Sequence, residues 1–292
     1  FIDMVLISRT MGYLGYDAAT TEFVTSSVAT WANKINVIVN SVAMGLTVSL
    51  IPNIVEAFTL KKWSLVEKRL NKAIQIILVT CIPMVLGISF LAKPIWNIFY
   101  GNSNLELGSI VLGVSIFGAL FYNIYMITSM TLQSLNKFKA VYFTTFLGYL
   151  TNAFLDVPLM LLCQHLNLQP FIGALLASIL GYSLASFGAL IILRKHHHLK
   201  YHESYKMFAK ILVPSFCMML AVFFVARLCP ISYNSRTSCI FYVFLTSVSG
   251  AVVYLFIAYK MKILDNVFGK EYLDRIIRKL TFNKWPKKNT KN

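Results

Sequence analysis

Residues 140–163 read AVYFTTFLGYLTNAFLDVPLMLLC, and the reading of this stretch decides the fold. A helix needs roughly 20 mostly apolar residues to cross the ~30 Å hydrocarbon core of a bilayer, and this segment supplies them. Its only charge is Asp156, two residues before Pro158. An ionisable residue at that depth is costly and turns toward a bundle interior or a water-filled cavity. Thr145, Gly148, Asn152 and Asp156 fall at i, i+3, i+7 and i+11, which lines them along one side of a helix. Pro158 removes a backbone donor and loosens the turn before it, so a bent helix with one polar face is expected.

The rest of the chain has the same character. It is 57% hydrophobic and 13% charged with a mean hydropathy of +0.66, against about 45–50% and 25% for soluble domains. Complete spans are expected near 35–58, 73–98, 108–132, 140–163, 171–193, 208–228 and 238–258. FIDMVLIS, residues 1–8, has neither a basic leader nor a small-residue cleavage site and reads as the end of a further, truncated helix. The fold class expected is all-α: a polytopic transmembrane helix bundle over 1–263, followed by a basic amphipathic tail over 264–292.

A net charge of +16 would suggest nucleic acid in a soluble protein, but here 22 of the 27 Lys and Arg lie in alternate connections. They fall around 61–72, 137–139 and 194–210 and beyond Tyr259. That one-sidedness is the positive-inside pattern, which places these segments and the C-terminus in the cytoplasm and removes the case for a nucleic-acid partner. In the tail, Leu264, Val267, Phe268, Leu273, Ile276, Ile277 and Leu280 recur at helical spacing among Lys270, Arg275, Arg278 and Lys279. Such a helix can lie on anionic membrane lipids; a solvated helix is the plainer alternative.

Enzyme signatures are absent: there is no phosphate-cradling Gly-rich loop, GxSxG elbow, HExxH or useful carboxylate pair. His196, His197, His198 and His202 form a hydrated basic connection rather than a metal site, with no cysteine nearby. The five cysteines have no metal spacing; Cys229 and Cys239 could pair, though free apolar thiols fit better. What remains is intramembrane polarity. Asn33, Asn36, Asn40 and Thr47 lie close to one helix face with Lys34 at its mouth, and Asn123 adds an amide to another span. Such amides either line a pathway or bond helix to helix. Arg9, six residues after Asp3, is either a contact for an anionic headgroup or an interfacial snorkeller.

Five stretches, DMVLISRTMGYLG (3–15), SLIPNIVEAF (49–58), TLQSLNKFKA (131–140), NAFLDVPLM (152–160) and GALLASILGY (173–182), carry a resemblance in this order and spacing. They resemble the polysaccharide-transport branch of the multidrug/oligosaccharidyl-lipid/polysaccharide (MOP) flippase superfamily, in particular the lipid II flippase and stage V sporulation protein B group of Gram-positive bacteria. The resemblance maps to the C-terminal half of such a protein, so the chain is expected to be a fragment whose partner is the missing N-terminal lobe. It implies a plasma-membrane flippase that passes an undecaprenyl-pyrophosphate-linked oligosaccharide by alternating access, without covalent chemistry or a cofactor; a coupling ion, Na+ or H+, is left open. Arg9, Lys34 and Asn40 are then the substrate contacts, and Asp3, Asn123, Asn152, Asp156 and Pro158 the pathway and coupling residues. Lys34 stands where the family often carries an arginine, and lysine lacks the guanidinium fork. The rivals are a cation-coupled drug exporter of the same superfamily and, more remotely, a membrane glycosyltransferase or polymerase, which would need a large catalytic outer loop.

Overall fold

The computed structural model describes residues 2–197, 199–229, 231, 233 and 235–269. Seven helical segments are long and apolar enough to cross a membrane, as many as the hydropathy implies: Ala18–Thr59, Trp63–Phe90, Leu105–Ser134, Phe138–His165, Phe171–Lys195, His202–Leu228 and Arg236–Lys260. No strand occurs among the described residues. A shorter helix, α1 (Ile2–Tyr13), precedes them.

Two spans differ from the expectation in extent. The first starts well before residue 35: α2 (Ala18–Ser26) runs through a π-helical turn, Ser27–Trp31, into α3 (Ala32–Thr47) and, past a 3-10 turn, α4 (Ile51–Thr59). The stretch before residue 35, not counted among the expected spans, is helical, and Asp17 caps it by accepting from the Thr20 N–H at 2.9 Å. The second, expected over 73–98, is α5 (Trp63–Phe90), which stops at Leu91; α6 (Ala92–Tyr100) then starts afresh, with Pro94 in its first turn. Of the basic run before residue 73, Lys68, Arg69 and Lys72 lie in the first turns of α5, where Val66 and Leu70 are buried and Lys68 is exposed.

The remaining helices are α7 (Leu105–Ser134), α8 (Phe138–His165), α9 (Phe171–His197), α10 (His202–Leu228), α11 (Arg236–Lys260) and α12 (Ile263–Phe268). Asn136 and Asn167 take left-handed backbone at the α7–α8 and α8–α9 turns, with φ of 56° and 57°. Asparagine tolerates that region because its short polar side chain bonds locally. Ile263, Leu264 and Val267 of α12 are buried, so the first turns of the expected tail pack on the bundle rather than on a lipid surface. Leu273, Ile276, Ile277, Leu280 and the cations among them lie outside the described residues.

Helices α8 and α9 meet backbone to backbone. A Cβ at Gly181 would stand 2.7 Å from the Gly148 carbonyl oxygen, and one at Gly173 would stand 2.3 Å from the Leu159 carbonyl carbon and the Met160 nitrogen. On α9, Gly173, Ala177, Gly181 and Ala185 recur every fourth residue, the small-residue ridge that allows such an approach without a hydrophobic driving force.

Candidate functional site: a polar groove between α1, α8 and α9

The polar stripe of α8 turns inward as its periodicity requires. Gly148 and Asp156 are buried and Asn152 half-buried, while Phe143, Phe146 and Phe154 on the other side are more than 60% exposed. The helix runs unbroken through Pro158, which leaves the Phe154 carbonyl without its i+4 donor. Asp3 of α1 reaches this stripe. Asn152 Nδ2 donates to Asp3 Oδ1 at 2.6 Å, and Ser178 Oγ of α9 lies 3.3 Å from Asp3 Oδ2 and 3.2 Å from Asn152 Oδ1. Three helices are thus tied at one polar point.

Asp156 lies one turn along from Asn152. It is 0% exposed, and neither carboxylate oxygen has a hydrogen-bond partner among the described residues. Leaving a carboxylate bare and charged there costs several kcal/mol. Beside this cluster opens a groove of about 600 Å³, lined by Asp3, Asn152, Thr145 and Ser178 and by Tyr122, Tyr125, Tyr149 and Tyr182. Tyr122 and Tyr182 meet edge to face at 5.6 Å between centroids, and the Tyr125 hydroxyl contacts Thr145 Oγ1.

The other expected site residues lie elsewhere. Asn123 Nδ2 donates to Asn40 Oδ1 at 2.8 Å and to the Ala119 carbonyl at 2.7 Å, which ties α3 to α7. Asn36 bonds Ser115 Oγ at 3.4 Å, and Asn33 Nδ2 bonds the Ala29 carbonyl at 3.0 Å within the π-helical turn. Arg9 and Lys34 are exposed on α1 and α3. Neither has an ion pair or hydrogen bond among the described residues. Lys93, by contrast, pairs with Glu106 and lies 5.1 Å from the Tyr233 ring centroid.

Sequence reasoning missed Ser178 and the four tyrosines. The available signal for Ser178 was its place on α9 between Gly173 and Gly181, on the helix that presses closest to α8. The tyrosines come from three helices and carry no common spacing. Among the described residues no group of three or more His, Cys, Asp or Glu could hold a metal, and all five cysteines are free.

Seven spans, with four helices (α1, α7, α8 and α9) framing a polar cluster and a tyrosine-lined groove, define a polytopic helical membrane bundle. The family model MatE matches residues 24–157. "Lipid II flippase MurJ" of Bacillus subtilis (strain 168) is 29% identical over 275 residues, covering 92% of this chain and 49% of that protein. The solved structure "Lipid II flippase MurJ, inward closed conformation" superposes with a TM-score of 0.70 at 19% identity, covering 89% of this chain and 50% of that one. The chain spans about half the length of the relatives it matches. Its likeness to the MOP-type flippases, expected from five short stretches, is found again in sequence and in fold, and the chain is a multi-pass membrane protein.

Proposed function

We propose that the chain forms one half of a plasma-membrane flippase for a polyprenyl-pyrophosphate-linked saccharide, such as a peptidoglycan or surface-polysaccharide precursor, working by alternating access. The observation that carries this reading is the intramembrane polarity: Asp3, Asn152 and Ser178 bonded together from three helices, with a second acid, Asp156, buried and unpartnered one turn along α8. A scaffold would not retain so costly a group. A proton or a small cation neutralises it, oxygen donors of this kind suiting a hard ion. Asp3, Asn152 and Asp156, with Ser178, then couple ion occupancy to how α1 sits on α8 and α9, and Pro158 gives that helix a place to flex.

Arg9 and Lys34 receive the pyrophosphate as exposed cations free of acidic partners. A point charge on Lys34 suits a diffuse, hydrated anion, and the guanidinium of Arg9 can grip phosphate oxygens in pairs. In this reading the chain is the C-terminal lobe, its basic ends cytoplasmic, and Asn40 and Asn123 hold α3 in place behind the contact surface. The test is transbilayer movement of a fluorescent polyprenyl-pyrophosphate sugar by the intact protein in proteoliposomes, parent against Lys34→Glu. Protein-dependent movement that falls at least about tenfold on charge reversal, ~1.4 kcal/mol in the barrier, supports it. No movement, with organic cations carried instead, would give the case to drug export.

A further inference from the structure

The basic end of the bundle carries a second feature, remote in kind from the groove. Two adjoining hollows of about 610 and 420 Å³ open where α9 passes into α10. Both are lined by Arg194 and Lys200; Ile191 and Lys195 complete one, His202 and Tyr205 the other.

The chain presents these cations from a fixed backbone. The Lys200 N–H donates to Glu67 Oε2 at 3.0 Å, and its carbonyl accepts from Asn71 Nδ2 at 2.7 Å, both on α5. Ser204 Oγ donates to Asn71 Oδ1 at 2.6 Å, and the Tyr201 hydroxyl to the Leu190 carbonyl at 3.0 Å. Leu199 is 1% exposed. Residues 200–204 are therefore clamped to α5 on one side and α9 on the other, so little ordering entropy of that stretch remains to be lost on binding.

Among the described residues Arg194, Lys195 and Lys200 form no ion pair. The neighbouring acids do not meet the demand. Glu67 is engaged by the Lys200 amide, and Glu203 lies in the first turn of α10, where the helix dipole favours it. Three cations at one fixed junction attract an anion, most strongly at a membrane surface.

The hollow also continues into hydrocarbon. Leu176, Leu180, Leu184, Phe187 and Ile191 lie at i, i+4, i+8, i+11 and i+15 on α9, each between 39% and 54% exposed. This apolar track is about 22 Å long by helical rise and ends at Ile191, inside the cationic hollow. A free phosphate would use only the charged end. A charged head joined to a long apolar chain uses both.

We propose that the junction of α9 and α10 is a binding site for an anionic phospholipid, its phosphate held by Arg194, Lys195 and Lys200 and an acyl chain laid along the Leu180, Phe187 and Ile191 side of α9. The site does not depend on the transport reading.

The test uses the intact protein in neutral detergent, titrated with phosphatidylglycerol, phosphatidylcholine or water-soluble glycerol phosphate, with bound lipid counted by native mass spectrometry. At about fivefold per basic group near a membrane surface, phosphatidylglycerol should bind more than tenfold tighter than phosphatidylcholine. Arg194→Gln/Lys195→Gln/Lys200→Gln should abolish that preference, and Lys137→Gln/Lys139→Gln, at the α7–α8 turn, should leave it. If the triple variant fails to fold, Lys200→Gln alone, which keeps both backbone clamps, should weaken it about fivefold. Equal binding of the two lipids, a preference unchanged in these variants, or one equally lost in the Lys137/Lys139 pair overturns the proposal. Glycerol phosphate that displaces the lipid at equal concentration overturns it in favour of a simple phosphate site.

Discussion

The approach of α8 to α9 can be tested with a single methyl group, in Gly173→Ala. A Cβ at 173 would stand 2.3 Å from both the Leu159 carbonyl carbon and the Met160 nitrogen and 2.4 Å from the Leu159 oxygen. These are backbone atoms of a continuous helix, so no rotamer change relieves the contact. Ordinary Cβ contacts begin near 3.4 Å, and the two helices must part by about 1 Å. Overpacking of this kind costs ~1–3 kcal/mol, offset by at most ~0.5–1 kcal/mol of improved helix propensity; with backbone on both sides of the contact the upper end applies, for a net loss of ~2 kcal/mol. The polar cluster is sensitive to the same shift. Ser178 Oγ lies 3.2 Å from Asn152 Oδ1 and 3.3 Å from Asp3 Oδ2, so a displacement of a few tenths of an ångström ends both bonds. Gly173→Ala should therefore lower the thermal midpoint in detergent and reduce flipping in proteoliposomes together. Gly45→Ala is the control, because nothing lies within 4 Å of its Cβ position. It should leave the midpoint unchanged or raise it. A Gly173→Ala protein as stable and active as the parent, or a Gly45→Ala protein just as damaged, would refute the reasoning.

On the proposed transport reading, Asp156→Asn keeps the side chain's shape but cannot ionise, so stability should hold while transport falls more than about tenfold, ~1.4 kcal/mol in the barrier; equal loss of fold and transport would make Asp156 structural. At the start of α2, bonds from the Thr20 hydroxyl and then its amide hold the Asp17 carboxyl below the ordinary aspartate value. A lowered value in the folded state contributes stability at neutral pH that is lost as pH falls through it, so hydrogen exchange at the Thr20 amide should lose protection below about pH 4. Asp17→Asn should keep the cap and show no such pH dependence.

Much of the bundle was legible from the chain alone, because in lipid every span must satisfy its own backbone and declare itself by length and hydropathy. The seven spans follow from that constraint, and the inward turn of Asn152 and Asp156 follows from the period of one helix. Span limits were less legible. The helical stretch before residue 35 depends on a cap at Asp17 and a π-helical turn, and the break at Leu91 lies within a mostly apolar run; neither changes the hydropathy that a window averages.

The sequence by itself determined that Asp156 faces inward, since periodicity along one helix settles which side a residue occupies. That Arg9 and Lys34 stand without partners among the described residues is seen only in the folded chain. Only the tertiary structure decided that Asp3, Asn152 and Ser178 meet, that Asn40 is held by Asn123, and that Arg194 and Lys200 share a hollow ending an apolar track. The first two of these join helices far apart in the chain, and the meeting of Asn152 with Ser178 depends on how closely α8 and α9 pack at Gly148, Gly173 and Gly181, where the distance between the two helices is set by the absence of a side chain.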